Sequence, residues 1–338
     1  MTRNLIIHRA GPGLTVQDQG RPGRLDRGLS IGGAADQLAL VKGAALLCQR
    51  AELAALEMAG MGGEFGATAP TRFALTGAPM RASLDGEALV WNASHMIQPG
   101  QRLNIGPATR GVYGYLHLGG GIDGPASLGA RSAHLTAGIG ALIADGDRLP
   151  LAEDRGTRAG LVLDVEDRFS GGILRIVPSI QTENFSKADR QRFAGTVFTR
   201  DPRGNRMGVR LTFQGDPFQA EDHLGIVSEI IVPGDIQITG DGDPFILLGE
   251  CQTTGGYPRI ATVIPPDLPR VAQAPPGAMF RFEFVTRREG FAAMQRDADA
   301  RRALASRVAP LIRDPRDMAD LLSYDLISGV TDGKAEQQ

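Results

Sequence analysis

The chain has 338 residues, 42% hydrophobic and 22% charged, enough apolar material for two domains or for one built of two similar halves. Its 36 basic and 38 acidic residues leave a formal charge of -2, which argues against a nucleic-acid-binding face. Cys48 and Cys251 are too few for a disulfide framework and lack metal-ligand spacing, and Met1–Ala10 has no apolar core of signal-peptide length. No stretch nears the roughly 18 uninterrupted apolar residues of a membrane span, so a cytoplasmic chain with no membrane association is expected.

Glycine (45) and proline (21) punctuate the chain into short elements. The first helix is expected within Ala35–Met58, where Leu38, Val41, Ala45, Leu46, Leu53 and Leu56 recur at helical spacing. Asp36 is placed to cap it, and Gly43 and the Gln49-Arg50 step suggest a break into two pieces. Strands are expected at Arg72–Thr76, Arg81–Leu84, Ala88–Trp91, Arg102–Ile105 and Val112–Leu118, with Asp85-Gly86 as a hairpin turn. Composition shifts after Leu149, and a boundary falls near residue 165. The second half reads as strands again: Leu174–Val177, Gly208–Phe213, Ile226–Val232, Ile236–Thr239, Phe245–Leu248, Ile260–Val263 and Met279–Val285. Pro99-Gly100 and Pro276-Gly277 each feed an alternating strand, a weak echo between the halves. From Arg287 the pattern turns helical and charged, and it ends in a polar tail, Thr331–Gln338, expected to fray. The resulting division is 1–165, 166–286 and 287–338.

Standard catalytic signatures are missing. No glycine-lysine-serine or glycine-lysine-threonine step marks a P-loop. Gly119–Gly124 fits the dinucleotide fingerprint formally, but Pro125 follows and no helix completes the unit, so a turn is expected. His8, His95, His117, His134 and His223 are scattered, which leaves a metal site unsupported; His117 reads as a structural histidine in a strand. What remains are four polar, glycine-rich loops. Thr15–Gly23 carries Gln17, Asp18 and Arg21, and Gly119–Arg131 carries Asp123 and Arg131. Asn205–Gly208 carries Arg206, and the last loop carries Gln252, Thr253, Thr254, Gly255, Gly256, Tyr257 and Arg259. Glycine pairs let backbone amides approach a ligand, and the flanking side chains can fix a planar or anionic group.

At these loops the chain resembles the biotin-dependent carboxyltransferase family, the KipA-like proteins also known as allophanate hydrolase subunit 2 and as the C-subunit of 5-oxoprolinase. The matching stretches are TVQDQGRPGR (15–24), IGGAADQLAL (31–40), ALE (55–57), LTGAPMRASLDG (75–86), YLHLGGGIDGPASLGARS (115–132), NRMGVRL (205–211) and CQTTGGYPRIATVIPPDLPRVAQAPPG (251–277). Three departures stand out. Gly32 occupies a position where the family carries serine, Arg259 one where lysine is common, and Val177–Gln181 lacks a glycine-proline step. Arginine keeps the charge but cannot act as a neutral base.

The resemblance implies a mainly β fold with a few helices, in two subdomains. The first is carboxyltransferase subdomain A-like (1–165) and the second a cyclophilin-like barrel (166–286), followed by a helical extension. It implies work beside a KipI-like partner (allophanate hydrolase subunit 1, or the B-subunit of 5-oxoprolinase) and a lactam-utilisation subunit. Three functions stay open: an ATP-dependent 5-oxoprolinase subunit, a carboxyltransferase component acting on urea or another amide, and a non-enzymatic regulator that binds a KipI-like protein. ATP would be used on another subunit. No cofactor is expected to be bound covalently; carboxybiotin would arrive on a separate carrier, because Lys42, Lys187 and Lys334 lie in no methionine-lysine context.

The residues expected to carry chemistry are Arg206, Gln252, Thr253, Thr254, Tyr257 and Arg259. Gln17, Asp18, Arg21, Asp36, Asp123, Arg131, Gly255 and Gly256 are expected to hold substrate. The loop Gln252–Arg259 is expected to line the principal pocket with Arg206 facing it, and Arg259→Ala to cost activity with little loss of stability.

Overall fold

Short apolar–polar alternations between tight turns build two different β units in a computed structural model that describes residues 3–220 and 228–312. The first unit is a sandwich of two antiparallel sheets. One sheet runs Arg148–Pro150, Asn4–Ala10, Met61–Ala67, Leu103–Ala108, Met80–Leu84, Glu87–Ala88. The other runs Thr15–Gln17, Ala55–Ala59, Tyr113–Leu118, Thr71–Gly77, Ser94–Ile97. Leu5, Ile7, Phe65 and Ile105 from the first pack on Leu56, Phe73, Leu75 and Leu116 from the second.

Helix α1 (Gln37–Leu47) covers the outer face of the five-stranded sheet, with Asp36 accepting a hydrogen bond from the Ala39 amide at its start. The expected break at Gly43 is not there. Gly43 is instead the place where the helix lies against the His117 ring: a Cβ there would come 2.3 Å from the ring. The helix stops at Cys48 in the left-handed region, and Leu56, expected on a helix, sits in the strand Ala55–Ala59. Alternation of strand contacts outweighs the helical spacing there. The strand expected over Ala88–Trp91 shrinks to Glu87–Ala88, because the chain turns away to place the Trp91 indole on the Gly77 carbonyl at 3.3 Å.

Seven strands close the second unit into a barrel: Gly171–Val177, Arg259–Val263, Asp235–Ile238, Pro244–Leu247, Gly208–Thr212, Phe198–Asn205 and Met279–Phe284. Parallel pairing of Gly171–Ile176 with Met279–Phe284 makes the closure. Helix α2 (Lys187–Gly195), capped by Ser186, delivers Phe193 onto Phe198, Phe218 and Phe282. The echo between the halves therefore marks shared turn chemistry rather than a shared fold, since one unit is open and the other closed. Only Glu229–Ile230 of the expected strand Ile226–Val232 is a strand; residues 226 and 227, His223, Lys334 and the tail Thr331–Gln338 lie outside the described residues.

The units share one hydrophobic cluster, in which Ala34, Leu40, Tyr113 and Tyr115 of the sandwich side meet Val271 and Ala274 of the barrel side. Val271 belongs to helix α3 (Leu268–Gln273), whose Gln273 amide bonds both Asp36 and the Tyr113 carbonyl at 2.8 Å. Helix α4 (Arg287–Arg302) starts at a capping box made by Thr286 and Glu289. Beyond it the chain returns across the molecule. Leu304 packs with Leu46, Leu47, Leu161 and Leu163, and Ala309–Pro310 pairs with Leu161–Val162. The fold is mainly β with a few helices and a closed barrel as its second unit, as the resemblance implies.

Candidate functional site

Arg206 is a hub at the seam between sandwich and barrel, where it joins Glu57 and Gly33 to Glu250. It sits in the turn between the barrel strands Phe198–Asn205 and Gly208–Thr212. Its guanidinium donates to the Glu57 carboxylate, to Glu250 Oε1 at 2.6 Å and to the Gly33 carbonyl. Glu57 and Glu250 are 1% and 3% exposed, so two nearly dry carboxylates face one cation. Burial works against that cation, but Glu57 and Glu250 outweigh it and raise its pKa above the usual arginine value. Glu57 also accepts from the Tyr115 hydroxyl at 2.6 Å and the Ala35 amide at 2.8 Å. Burial, reinforced by Glu57, pushes the Tyr115 phenol well above its usual value. It is a fixed donor.

Around this hub, the Gly32 amide donates to the Gly249 carbonyl at 2.8 Å, and Ser30 Oγ meets His134 Nε2 at 2.9 Å. Burial is the largest influence on His134 and lowers its pKa, with Glu250 opposing. A Cβ on Gly32 would lie 3.0 Å from the His134 ring in a left-handed backbone. The ring thus lies where a side chain on Gly32 would point, and Ser30, two residues earlier, places its hydroxyl on the same ring.

The charged and amide candidates on the first loop bond within the fold. Arg21, 2% exposed, donates to Ser132 and to the carbonyls of Ser127, Ala130 and Ser132. Asp18 accepts from the amides of Gly20 and Arg131, and Gln17 Nε2 donates to Thr15 and the Ala133 carbonyl. Asp36, expected to contact substrate, is fully buried; it caps α1 and takes Arg168 at 2.6 Å and Gln273 at 2.8 Å. Its oxygens are spent inside the fold. Asp123 and Arg131 form an exposed ion pair at 2.6 Å.

Arg259 makes its own network. It donates to Glu229, to Asp235 at 3.3 Å and to the Ile230 carbonyl at 2.9 Å, while Gln181 accepts from its backbone amide at 2.9 Å. Arg206 and Arg259 share no partner. Arg206 is held between Glu57 of the sandwich and Glu250, which precedes the loop Gln252–Arg259, and it makes no hydrogen bond to the loop residues themselves among the described residues. Because Arg259 is 6% exposed and Asp235 2%, removing Arg259 is expected to cost stability, contrary to the sequence expectation.

Thr254–Gly255 pairs with Glu229–Ile230, and a Cβ on Gly255 would come 2.7 Å from Gln237 Nε2. Gln252, Thr254, Gly256 and Tyr257 are exposed, Tyr257 by 53%, and Thr253 is half-buried. Among the described residues the loop forms an exposed rim. A cavity of about 350 Å³ lies among Leu38, Glu166, Arg168, Arg175, Asp267 and Arg296, and another of about 430 Å³ beside Arg72 and Asp154. Neither contains a residue of the loop.

Gly119–Gly124 forms a turn, in which a Cβ on Gly119 would come 2.1 Å from the Asp154 carboxylate and one on Gly120 2.4 Å from the Ala152 carbonyl. With acceptors filling it, this loop is no phosphate cradle. Among the described residues no group of three or more His, Cys, Asp or Glu side chains could hold a metal, and no helix is long and apolar enough to cross a membrane.

Sequence reasoning missed Glu57, Glu250, Tyr115, Ser30 and His134 as parts of the hub. A signal existed for Glu57: a lone carboxylate in the apolar strand Ala55-Leu-Glu-Met-Ala59 needs a buried partner.

Comparison with known proteins supplies the rest. A family model described as the carboxyltransferase domain, subdomain A and B, matches residues 27–284. The 5-oxoprolinase C-subunit of Escherichia coli K12 is 36% identical over 299 residues, covering 86% of this chain and 94% of that protein. The protein of the same name from Haemophilus influenzae is 33% identical over 280 residues, covering 81% and 89%. The crystal structure of the K. lactis urea amidolyase superposes with a TM-score of 0.80 at 20% identity, covering 92% of this chain and 21% of that one, a likeness of fold. By the family match and the two relatives of nearly equal length, the chain belongs to the carboxyltransferase domain A and B family.

Proposed function

We propose that the chain is a subunit of an ATP-dependent 5-oxoprolinase, opening 5-oxoproline to glutamate in the cytoplasm beside a KipI-like subunit and a lactam-utilisation subunit. The observation that carries this reading is 36% identity across 94% of a protein named as the C-subunit of 5-oxoprolinase. ATP is used elsewhere in the complex, in keeping with the carboxylate-filled Gly119–Gly124 turn. On this reading the buried hub of Arg206, Glu57 and Glu250 locks the two units in register, and the exposed rim meets substrate. Gln252 and Thr254 offer an amide and a hydroxyl, and Tyr257 a flat face with a polar tip suited to a planar lactam. Arg259 and Gly255 set the position of that rim.

The fold shared with urea amidolyase favours a second reading, carboxyl transfer to urea or a related amide. The same rim donors fit a ureido ring, and carboxybiotin on a separate carrier would supply the activated carboxyl group. The chain should co-purify with a KipI-like partner through an interface of roughly 1,000 Å² or more. The deciding experiment is ATP-dependent turnover of 5-oxoproline and of urea by the assembled subunits. Turnover of 5-oxoproline, cut more than tenfold by Tyr257→Ala without a change in melting temperature, supports the first reading. Turnover of urea alone, with a biotinylated carrier required, replaces it with the second.

A further inference from the structure

Among the buried guanidiniums of this protein, Arg200 stands apart. Arg21, Arg72, Arg168, Arg206 and Arg259 are each satisfied by carboxylates or backbone carbonyls. Arg200 is 4% exposed, yet its Nε and Nη1 are buried with no hydrogen-bond partner, and no ion pair or ring stacking reaches it among the described residues. Asp201, the neighbouring acid in sequence, is taken by the amide and guanidinium of Arg203. An arginine cannot shed its proton to escape such a site, and a stranded buried charge is strongly unfavourable.

Its surroundings leave Nε and Nη1 of the guanidinium without a hydrogen-bond partner. Arg200 lies on the face of its strand shared with Phe198, at a point where the pairing with Gly208–Thr212 bulges before Gly204. A Cβ on Gly204 would come 3.1 Å from Nη2, so a larger residue would press on that side of the guanidinium. Across the seam Tyr113, 5% exposed, interacts electrostatically with Arg200 and with the hub of Arg206, Glu57 and Glu250. Burial, then Glu57, pushes its phenol up to about 12 and keeps the proton on. The Glu57 carboxylate accepts from the Tyr115 hydroxyl at 2.6 Å rather than from Tyr113.

We propose that Arg200 and Tyr113 form a subsite for the carboxylate group of a small ligand, at the seam beside the Arg206 hub. A guanidinium fork and a phenol donor match the planar, two-oxygen geometry of a carboxylate, and binding removes the unpaired charge. Naming 5-oxoproline as that ligand rests on the functional reading above; the carboxylate subsite does not.

The test is thermal shift and calorimetric titration of the full-length chain with 5-oxoproline, with 2-pyrrolidinone, which is the same lactam without the carboxylate, and with bicarbonate. The expected result is stabilisation by 5-oxoproline and none by 2-pyrrolidinone. Arg200→Met is expected to weaken binding at least tenfold and Tyr113→Phe severalfold. Unliganded Arg200→Met should melt at or above the wild-type temperature, because an unpaired charge is removed; Arg200→Gln serves as the second variant if the first does not fold. Stabilisation by bicarbonate but not by 5-oxoproline keeps the subsite and overturns the lactam ligand. No stabilisation by either carboxylate, unweakened binding in the variants, or a lower melting temperature of both unliganded Arg200 variants overturns the subsite, whatever the turnover of the assembled enzyme.

Discussion

Arg206→Met is the most direct probe of the seam. The methionine keeps the length of the side chain and removes the charge, so the loss is electrostatic. Glu57, 1% exposed, keeps the Tyr115 hydroxyl and the Ala35 amide, whereas Glu250, 3% exposed, keeps a single 3.5 Å contact from Thr136. Breaking one buried pair by removing a partner costs about 3–5 kcal/mol, and here Glu250 is stranded almost completely and Glu57 in part. The expected loss is about 4 kcal/mol, a large fraction of the roughly 5–15 kcal/mol that holds a domain together. Equilibrium urea unfolding measures it, followed by far-UV circular dichroism and by the one tryptophan, Trp91, which packs on the sandwich core. Adding Glu57→Gln and Glu250→Gln to Arg206→Met should restore more than half of the loss, since no unpaired charge is then buried. A single Arg206→Met variant within about 1 kcal/mol of wild type would refute the hub as an electrostatic lock.

Three further outcomes follow from buried contacts. Arg259→Ala strands Asp235 and should lower stability by about 3 kcal/mol in the same urea assay, since Thr262 and the Val232 amide still bond the carboxylate; an unchanged midpoint would contradict this. Gly43→Ala, which adds helix propensity, should nonetheless destabilise by about 1–3 kcal/mol because its methyl meets the His117 ring, and His117→Ala should relieve most of that cost in a double variant. Burial holds the His117 imidazole down to about 3, against about 6.5 in the unfolded chain. Between those values the unfolded chain binds a proton that the folded chain refuses, so stability falls as pH drops from 6.5 towards 3, by about 1.4 kcal/mol per unit. His117→Gln should flatten that slope relative to wild type, and identical slopes would remove His117 from the account.

Elements with clean alternation and marked turns were legible in the sequence. The barrel strands from Gly208 onward and the helix from Arg287 emerge within a residue or two of the expectation. Met61–Ala67 was not legible, because its glycines read as loop. In the sheet those glycines are required by close approach: a Cβ on Gly62 would come 2.5 Å from Ile105 and one on Gly66 2.7 Å from His8. The helix spacing over Ala35–Met58 misled because Leu53 and Leu56 continue the helical period past Cys48, where the chain turns left-handed. For the site, the glycine-rich motifs led to the seam, but the partners of each charge were hidden. Arg206 meets Glu57 across 149 positions and Arg259 meets Asp235 across 24, and no local spacing reports such pairings.

The return of residues 304–310 onto the sandwich sets an order of events during synthesis. The first unit can pair all of its strands once residue 150 has emerged, yet the apolar ends of α1 at Leu46 and Leu47 and the connector residues Leu161 and Leu163 wait for Leu304. Domains fold as units while the chain is being made, so a nearly finished sandwich carries an uncovered greasy strip throughout the making of the barrel. A chain stopped before residue 304 is therefore expected to keep that strip as an exposed apolar surface that aggregates more readily than the full chain.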